Sequence, residues 1–316
     1  MANVSAPRDD APSEPIPTTE PPSPASAVAG GHLPSALIAA VAGAAIGLLA
    51  WQSAVFTVLG VALGQLALII SWVVGTRVPG RMGALVAGAM AAAAADALTA
   101  RWPGQQLGPL LAALGLVLPV LFALQLARGA PRARLLQALA RTALGVLATV
   151  GMAGLIALRH EVGGPRMALA VVAASGAALL VGHLVDWVAP VWRFDAEVPR
   201  GALALVLAIA AATGVGYLIL RGELEFTPAR AALAGAGTGA VAALLAVAAA
   251  FVQASARVQA SARPTGQVSA HASADVGSPR GGSGRAARWL ASGYGTLLAI
   301  GLTVPVAYLL CLALRS

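Results

Sequence analysis

The side chains of this chain that could do chemistry are few and scattered. His183 and Asp186 stand three residues apart, which puts an imidazole and a carboxylate on one face of a helix. Within apolar sequence such ionisable groups are costly, so the pair is the candidate for catalysis or for proton or ion handling. Trp187 and Arg193 follow closely and give the pair a bland alternative, an interfacial depth from which Asp186 reaches water. Further on, Arg280-Gly281-Gly282-Ser283-Gly284-Arg285, followed by Arg288, could wrap a phosphate with backbone amides and guanidinium groups. Arg280, Arg285 and Arg288 are therefore the candidate contacts to a lipid phosphate. Asp96 and Arg101 read as an interfacial ion pair, and Glu223 and Glu225 occupy a short loop with no metal-ligand partner in view. Cys311 is the only cysteine, so neither an internal disulfide nor a multi-cysteine metal site can form. All 20 basic residues are Arg, which removes lysine from the list of catalysts. No Ser-His-Asp or histidine cluster is visible, and no metal ligand set or bound cofactor is expected.

The elements that hold these residues are set by composition. Of 316 residues 59% are hydrophobic and only 10% charged, too few polar atoms to cover a water-facing surface. The apolar residues come in blocks of roughly 18 to 25, each long enough to cross a hydrocarbon layer about 30 Å thick. Lipid offers the backbone no hydrogen-bond partner, so the blocks must be helical. The expected fold is all-α: a polytopic membrane helix bundle of about nine transmembrane helices. From Leu33 to Thr76 there are 44 residues without an ionisable side chain. As one helix that run would be about 66 Å long, so it must turn back, and Trp51-Gln52-Ser53 is the natural turn. The spans then fall near 33–50, 54–75, 82–100, 107–127, 137–158, 167–190, 201–220, 230–252 and 290–314, with Pro119 and Pro305 expected to kink theirs.

Orientation follows from the arginines. With the N-terminus inside, fourteen of the 20 lie in inward-facing segments and six outside. This positive-inside bias places the N-terminus in the cytoplasm and the C-terminus outside. The arginines are spread between apolar blocks and not clustered on a soluble domain, so the high isoelectric point reports topology and not nucleic-acid binding. Residues 1–30 read as a disordered, Pro- and Ser-rich cytoplasmic tail, and residues 31–316 as the transmembrane domain, with a flexible basic loop at about 253–288. Three G-x-x-x-G pairs, Gly43/Gly47, Gly60/Gly64 and Gly235/Gly239, are read as general helix packing, because 36 glycines produce the pattern often.

The layout resembles an actinobacterial-type phosphatidate cytidylyltransferase (CDP-diacylglycerol synthase) from about Ala29 to the C-terminus. The likeness is carried by Gly31-His32-Leu33-Pro34-Ser35-Ala36 before a tight first hairpin, Arg141-Thr142-Ala143 opening a span that ends before Gly163-Gly164-Pro165-Arg166, and Ala174-Ser175-Gly176 leading the sixth span. Thr296-Leu297-Leu298 through Val304-Pro305-Val306-Ala307-Tyr308-Leu309-Leu310 closes it. The resemblance implies a reaction that joins phosphatidate to CTP and expels pyrophosphate, with Mg2+ and cationic side chains neutralising the phosphates. The family supplies them through an Asp after the sixth-span Ser, a Lys-Lys pair in the next loop, and a late Gly- and Asp-rich signature. Here the Asp position is Gly176, the loop is Trp192-Arg193-Phe194-Asp195-Ala196-Glu197-Val198-Pro199-Arg200, and the late signature is reduced to Pro279-Arg280-Gly281-Gly282. No carboxylate follows Asp275.

The resemblance implies the plasma membrane of a bacterium, and the expectation is a multi-pass membrane protein with the fold but not the activity of that family, binding membrane phospholipids or serving a protein partner or a second copy of itself. One alternative is an active enzyme using CTP and Mg2+ through Asp186, Asp195 and Glu197. Another is a transporter component with His183 and Asp186 as a proton or ion relay.

Overall fold

The computed structural model describes residues 24–75, 81–126, 135–189, 192–195, 198–261 and 283–315. Among the described residues ten helices and one short hairpin follow in order: α1 Pro24–Gln52, α2 Ala54–Gly75, α3 Arg81–Arg101, α4 Gly108–Leu126, α5 Leu135–Met152, α6 Gly154–Arg159, α7 Gly164–Val188, β1 Arg193–Asp195, β2 Val198–Gly201, α8 Ala202–Leu220, α9 Pro228–Ser261 and α10 Ser283–Leu314. Eight stretches of these helices are long and apolar enough to cross a membrane, and Gly108–Ala123 is a shorter apolar helix. The all-α, polytopic membrane bundle expected from composition is the observed architecture.

The turn at Trp51-Gln52-Ser53 is where the first hairpin bends. Only Ser53 lies outside helix, and its hydroxyl accepts the Phe56 backbone N–H at 3.3 Å as an N-cap of α2. Three boundaries differ from expectation. The first helix begins at Pro24, inside the segment read as a disordered tail; Pro24 suits a first helical position, Ala25, Ala27 and Ala29 favour the helix that follows, and the helix runs on through Gly30-Gly31 and Pro34. The polar loop is shorter than 253–288, because α9 continues to Ser261 and α10 starts at Ser283. Ala, Gln and Arg favour helix whether or not the segment is in lipid. The fifth span, read as continuous, is broken at Ala153, whose N–H bonds the Val150 carbonyl three residues back at 3.1 Å. Pro119 and Pro305 both lie within helices, α4 and α10.

Large apolar side chains cover the outside of the bundle, among them Leu63, Leu66 and Ile70 on α2 and Leu111 and Leu116 on α4. In water these would aggregate; in lipid they face a matched solvent. The interior is built from small residues at close approach. A Cβ on Gly176 of α7 would lie 3.0 Å from the Cα of Gly43 on α1 and 3.1 Å from the Ala39 carbonyl. Gly216 of α8 and Gly235 of α9 are in comparable backbone contact, and Gly60 and Gly64 of α2 receive Leu49 and Ile46 of α1. The G-x-x-x-G pairs thus serve contacts within the chain. Cys311 is buried in the same core.

The ends of the bundle are tied by polar contacts. At one end Glu161, in the α6–α7 turn, accepts Tyr308 Oη at 2.7 Å and Arg315 at 3.0 Å. Arg166 pairs with Glu223 at 2.8 Å and lies over Trp51, 5.7 Å from its ring centroid, and Arg159 donates to the Ala50 carbonyl. At the other end the β1–β2 hairpin folds over the close of α7.

Candidate functional site

His183 and Asp186 project from the last turns of α7 on one face, as their spacing requires, but neither side chain reaches the protein surface. Both are buried, Asp186 with 6% of its surface exposed. The hairpin buries them. β1 and β2 pair antiparallel, Arg193 with Gly201 and Asp195 with Val198, with an irregularity between. Pairing returns the chain across the end of α7 and delivers Arg200 into the gap between α7 and α8. Arg200 donates through one terminal nitrogen to Asp186 Oδ2 at 3.1 Å and through the other to His183 Nε2 at 2.9 Å. The Gly201 amide donates to Asp186 Oδ1 at 2.9 Å. Both carboxylate oxygens are therefore engaged, one by a guanidinium and one by the first amide ahead of α8.

The direction of these bonds fixes the imidazole. A guanidinium has no acceptor, so His183 Nε2 carries the lone pair and the ring proton sits on Nδ1. His183 Nδ1 faces His32 Nδ1 of α1 at 3.5 Å, with the rings 5.7 Å apart and tilted by 57°. His32 must then accept. The result is a buried line His32–His183–Arg200–Asp186 that joins α1, α7 and the hairpin. Burial lowers the Arg200 guanidinium from its ordinary range, and the adjoining Asp186 carboxylate raises it again. Beside Arg200 a cavity of about 10 Å³, close to the room one water needs, is lined chiefly by Gly182, Ala204, Ala208, Ala243 and Ala246.

Outside this buried line the hairpin presents a different surface. Trp192 is 72% exposed, and Trp187, Val188, Arg193 and Phe194 are exposed around it. Trp192 holds a left-handed backbone with φ of 53°, costly for a residue with a Cβ, and its carbonyl accepts the Ala202 amide at 3.0 Å. Three aromatic rings and a guanidinium are thus held outward on a clamped support.

Two members of the cluster were hidden in the sequence. Arg200 was one of the arginines that set topology, and His32 belonged to an N-terminal motif; neither spacing nor periodicity connects them to α7. Their signal was chemical: ionisable groups at the ends of apolar blocks on the same side of the membrane under the expected topology. Asp96 does not pair with Arg101. Residues five apart on a helix point about 140° apart, and Asp96 instead accepts Gln65 Nε2 of α2 at 2.9 Å. Arg280 lies outside the described residues. Arg285 and Arg288 fall on the first turns of α10, where the described backbone is helical.

Of the three carboxylates that the alternative reading assigns to a metal, the side chains of Asp195 and Glu197 lie outside the described residues, and the third, Asp186, does not fit that role. Both Asp186 oxygens are already engaged, Oδ2 by the Arg200 guanidinium and Oδ1 by the Gly201 amide, so a metal ion would have to displace one of them. Position 176, where an acid is expected, is packed backbone to backbone against Gly43 and has no room for a carboxylate without separating α1 from α7. Among the described residues no three His, Cys, Asp or Glu stand together as a metal site needs. The fold and this cluster define a class, the polytopic α-helical membrane protein. No protein-family model, curated protein or solved structure matches the chain.

Proposed function

We propose that this protein is a non-catalytic membrane protein that binds anionic phospholipid at its hairpin end. The single observation that carries the proposal is the exposed Trp192-Arg193-Phe194 edge, held in a strained backbone by a hairpin that Arg200 clamps to α7. Trp and Phe rings flanking an arginine suit the boundary between acyl chains and headgroups, where an apolar body and a polar handle are both satisfied. The positive-inside count places this end at the cytoplasmic leaflet, whose anionic lipids attract each nearby Arg by about 1 kcal/mol. Arg280, Arg285 and Arg288 belong to the same inward-facing side of the sequence and add to the attraction. Engagement of both Asp186 oxygens argues against the cytidylyltransferase alternative, since a Mg2+ ion would have to displace Arg200.

The test is lipid retention. Protein purified in detergent and analysed by native mass spectrometry should keep phosphatidylglycerol or cardiolipin in preference to phosphatidylcholine. The W192A/R193A/F194A variant should lose most of that preference. Equal retention of neutral and anionic lipid, or CTP-dependent formation of CDP-diacylglycerol abolished by Asp186→Ala, would overturn the proposal.

A further inference from the structure

A second polar site lies within the bundle, away from the hairpin. Gln65 stands near the middle of α2 with 1% of its surface exposed, and its Nε2 donates both to Asp96 Oδ1 of α3 at 2.9 Å and to the Thr149 carbonyl of α5 at 3.1 Å. The second bond has a backbone cause. At the break in the fifth span the Ala153 amide turns to Val150 and not to Thr149, so the Thr149 carbonyl lacks the amide that a continuous helix would bring. Gln65 supplies the missing donor. Broken spans with freed carbonyls are found in membrane transporters where ions or protons are held, and polar side chains re-satisfy the backbone at such breaks.

Asp96 is the acid of this site, and its surroundings lack charge. Neither α2 nor α4 carries an ionisable side chain. α5 carries Arg141 eight residues before Thr149, about 12 Å along the axis. Arg159 of α6 is turned to the Ala50 carbonyl, and Arg101 of α3 points away from Asp96. Among the described residues no ion pair involves Asp96. Asp96 is partly buried, five residues before the end of α3, and an ionised carboxylate held there within an apolar span only by a neutral amide is costly, a cost that a proton removes without any other partner.

We propose that Asp96, seated on Gln65 at the break between α5 and α6, is an intramembrane proton-binding site. Its ligand is the proton itself, taken up by the carboxylate while the Gln65 amide continues to donate to Oδ1. This site is independent of the lipid contact at the hairpin.

The experiment is labelling of the full-length protein in liposomes with dicyclohexylcarbodiimide, an apolar reagent that adds to protonated carboxyls in lipid, with the adduct mapped by mass spectrometry. Asp96 should carry the adduct and Asp186, held as an ion pair, should not. Labelling should fall about tenfold for each pH unit above the midpoint, because only the protonated form reacts, and Asp96→Asn, which keeps an acceptor for Gln65, should abolish it. No adduct on Asp96 in acid, a yield independent of pH, or equal labelling of Asp186 would overturn the inference. Suppression by sodium at constant pH would also overturn it, making the site one for a metal cation.

Discussion

Replacing Arg200 with Met removes the guanidinium but keeps most of the apolar stem, so the loss falls on charge and hydrogen bonding more than on volume. The side chains of Arg200 and Asp186 are 9% and 3% exposed, so their pairing is shielded from water. Without Arg200, Asp186 retains only the Gly201 amide and His183 Nε2 has no donor. Truncating one member of such a buried pair costs about 3–5 kcal/mol, mostly from the charge left behind. The companion D186N/R200M removes both charges, and removing a buried pair together is often close to neutral. The double variant should therefore recover most of the loss, leaving about 1–2 kcal/mol for the orphaned imidazole. SDS-driven unfolding in mixed micelles, followed by circular dichroism, measures all three proteins on one scale. A cost below about 1 kcal/mol for Arg200→Met, or a double variant as unstable as the sum of its parts, would refute the claim that this pair clamps the hairpin.

Trp192→Gly separates support from contact: it relieves the left-handed backbone and should leave stability unchanged or raised by up to about 1 kcal/mol, while retention of anionic lipid in native mass spectra falls. Gly176→Asp, which restores an acid where the family resemblance expects one, should destabilise the fold by at least about 1–3 kcal/mol in the same unfolding assay, because Gly43 and the Ala39 carbonyl occupy the space.

The membrane fold was legible because it depends on local quantities. Block length, arginine spacing and the Trp51-Gln52-Ser53 interruption each act over a few residues, and α1 and α2 meet at Ser53. The break at Ala153 had a weak local trace in Gly151 and Gly154, but glycines are so common here that two more carry little information. The chemistry was less legible. Spacing put His183 and Asp186 on one face, yet their burial is made by a hairpin whose pairing brings Arg200 back across fourteen positions, and by His32 from the far end of the chain. Sequence proximity pairs Asp96 with Arg101, whereas the helical angle turns it to Gln65, thirty-one residues away. Contacts between helices set these outcomes, and small-residue packing specifies them without distinctive letters.

The central claim is that the chain crosses the membrane with its clamped hairpin on the cytoplasmic side. The direct measurement is labelling of single cysteines, at Phe194 on the hairpin and Gly222 in the α8–α9 turn, in a Cys311→Ser background with a membrane-impermeant maleimide. Phe194→Cys should react only in inside-out vesicles and Gly222→Cys only in intact spheroplasts. Reaction of both from one side, or the reverse pattern, would contradict it.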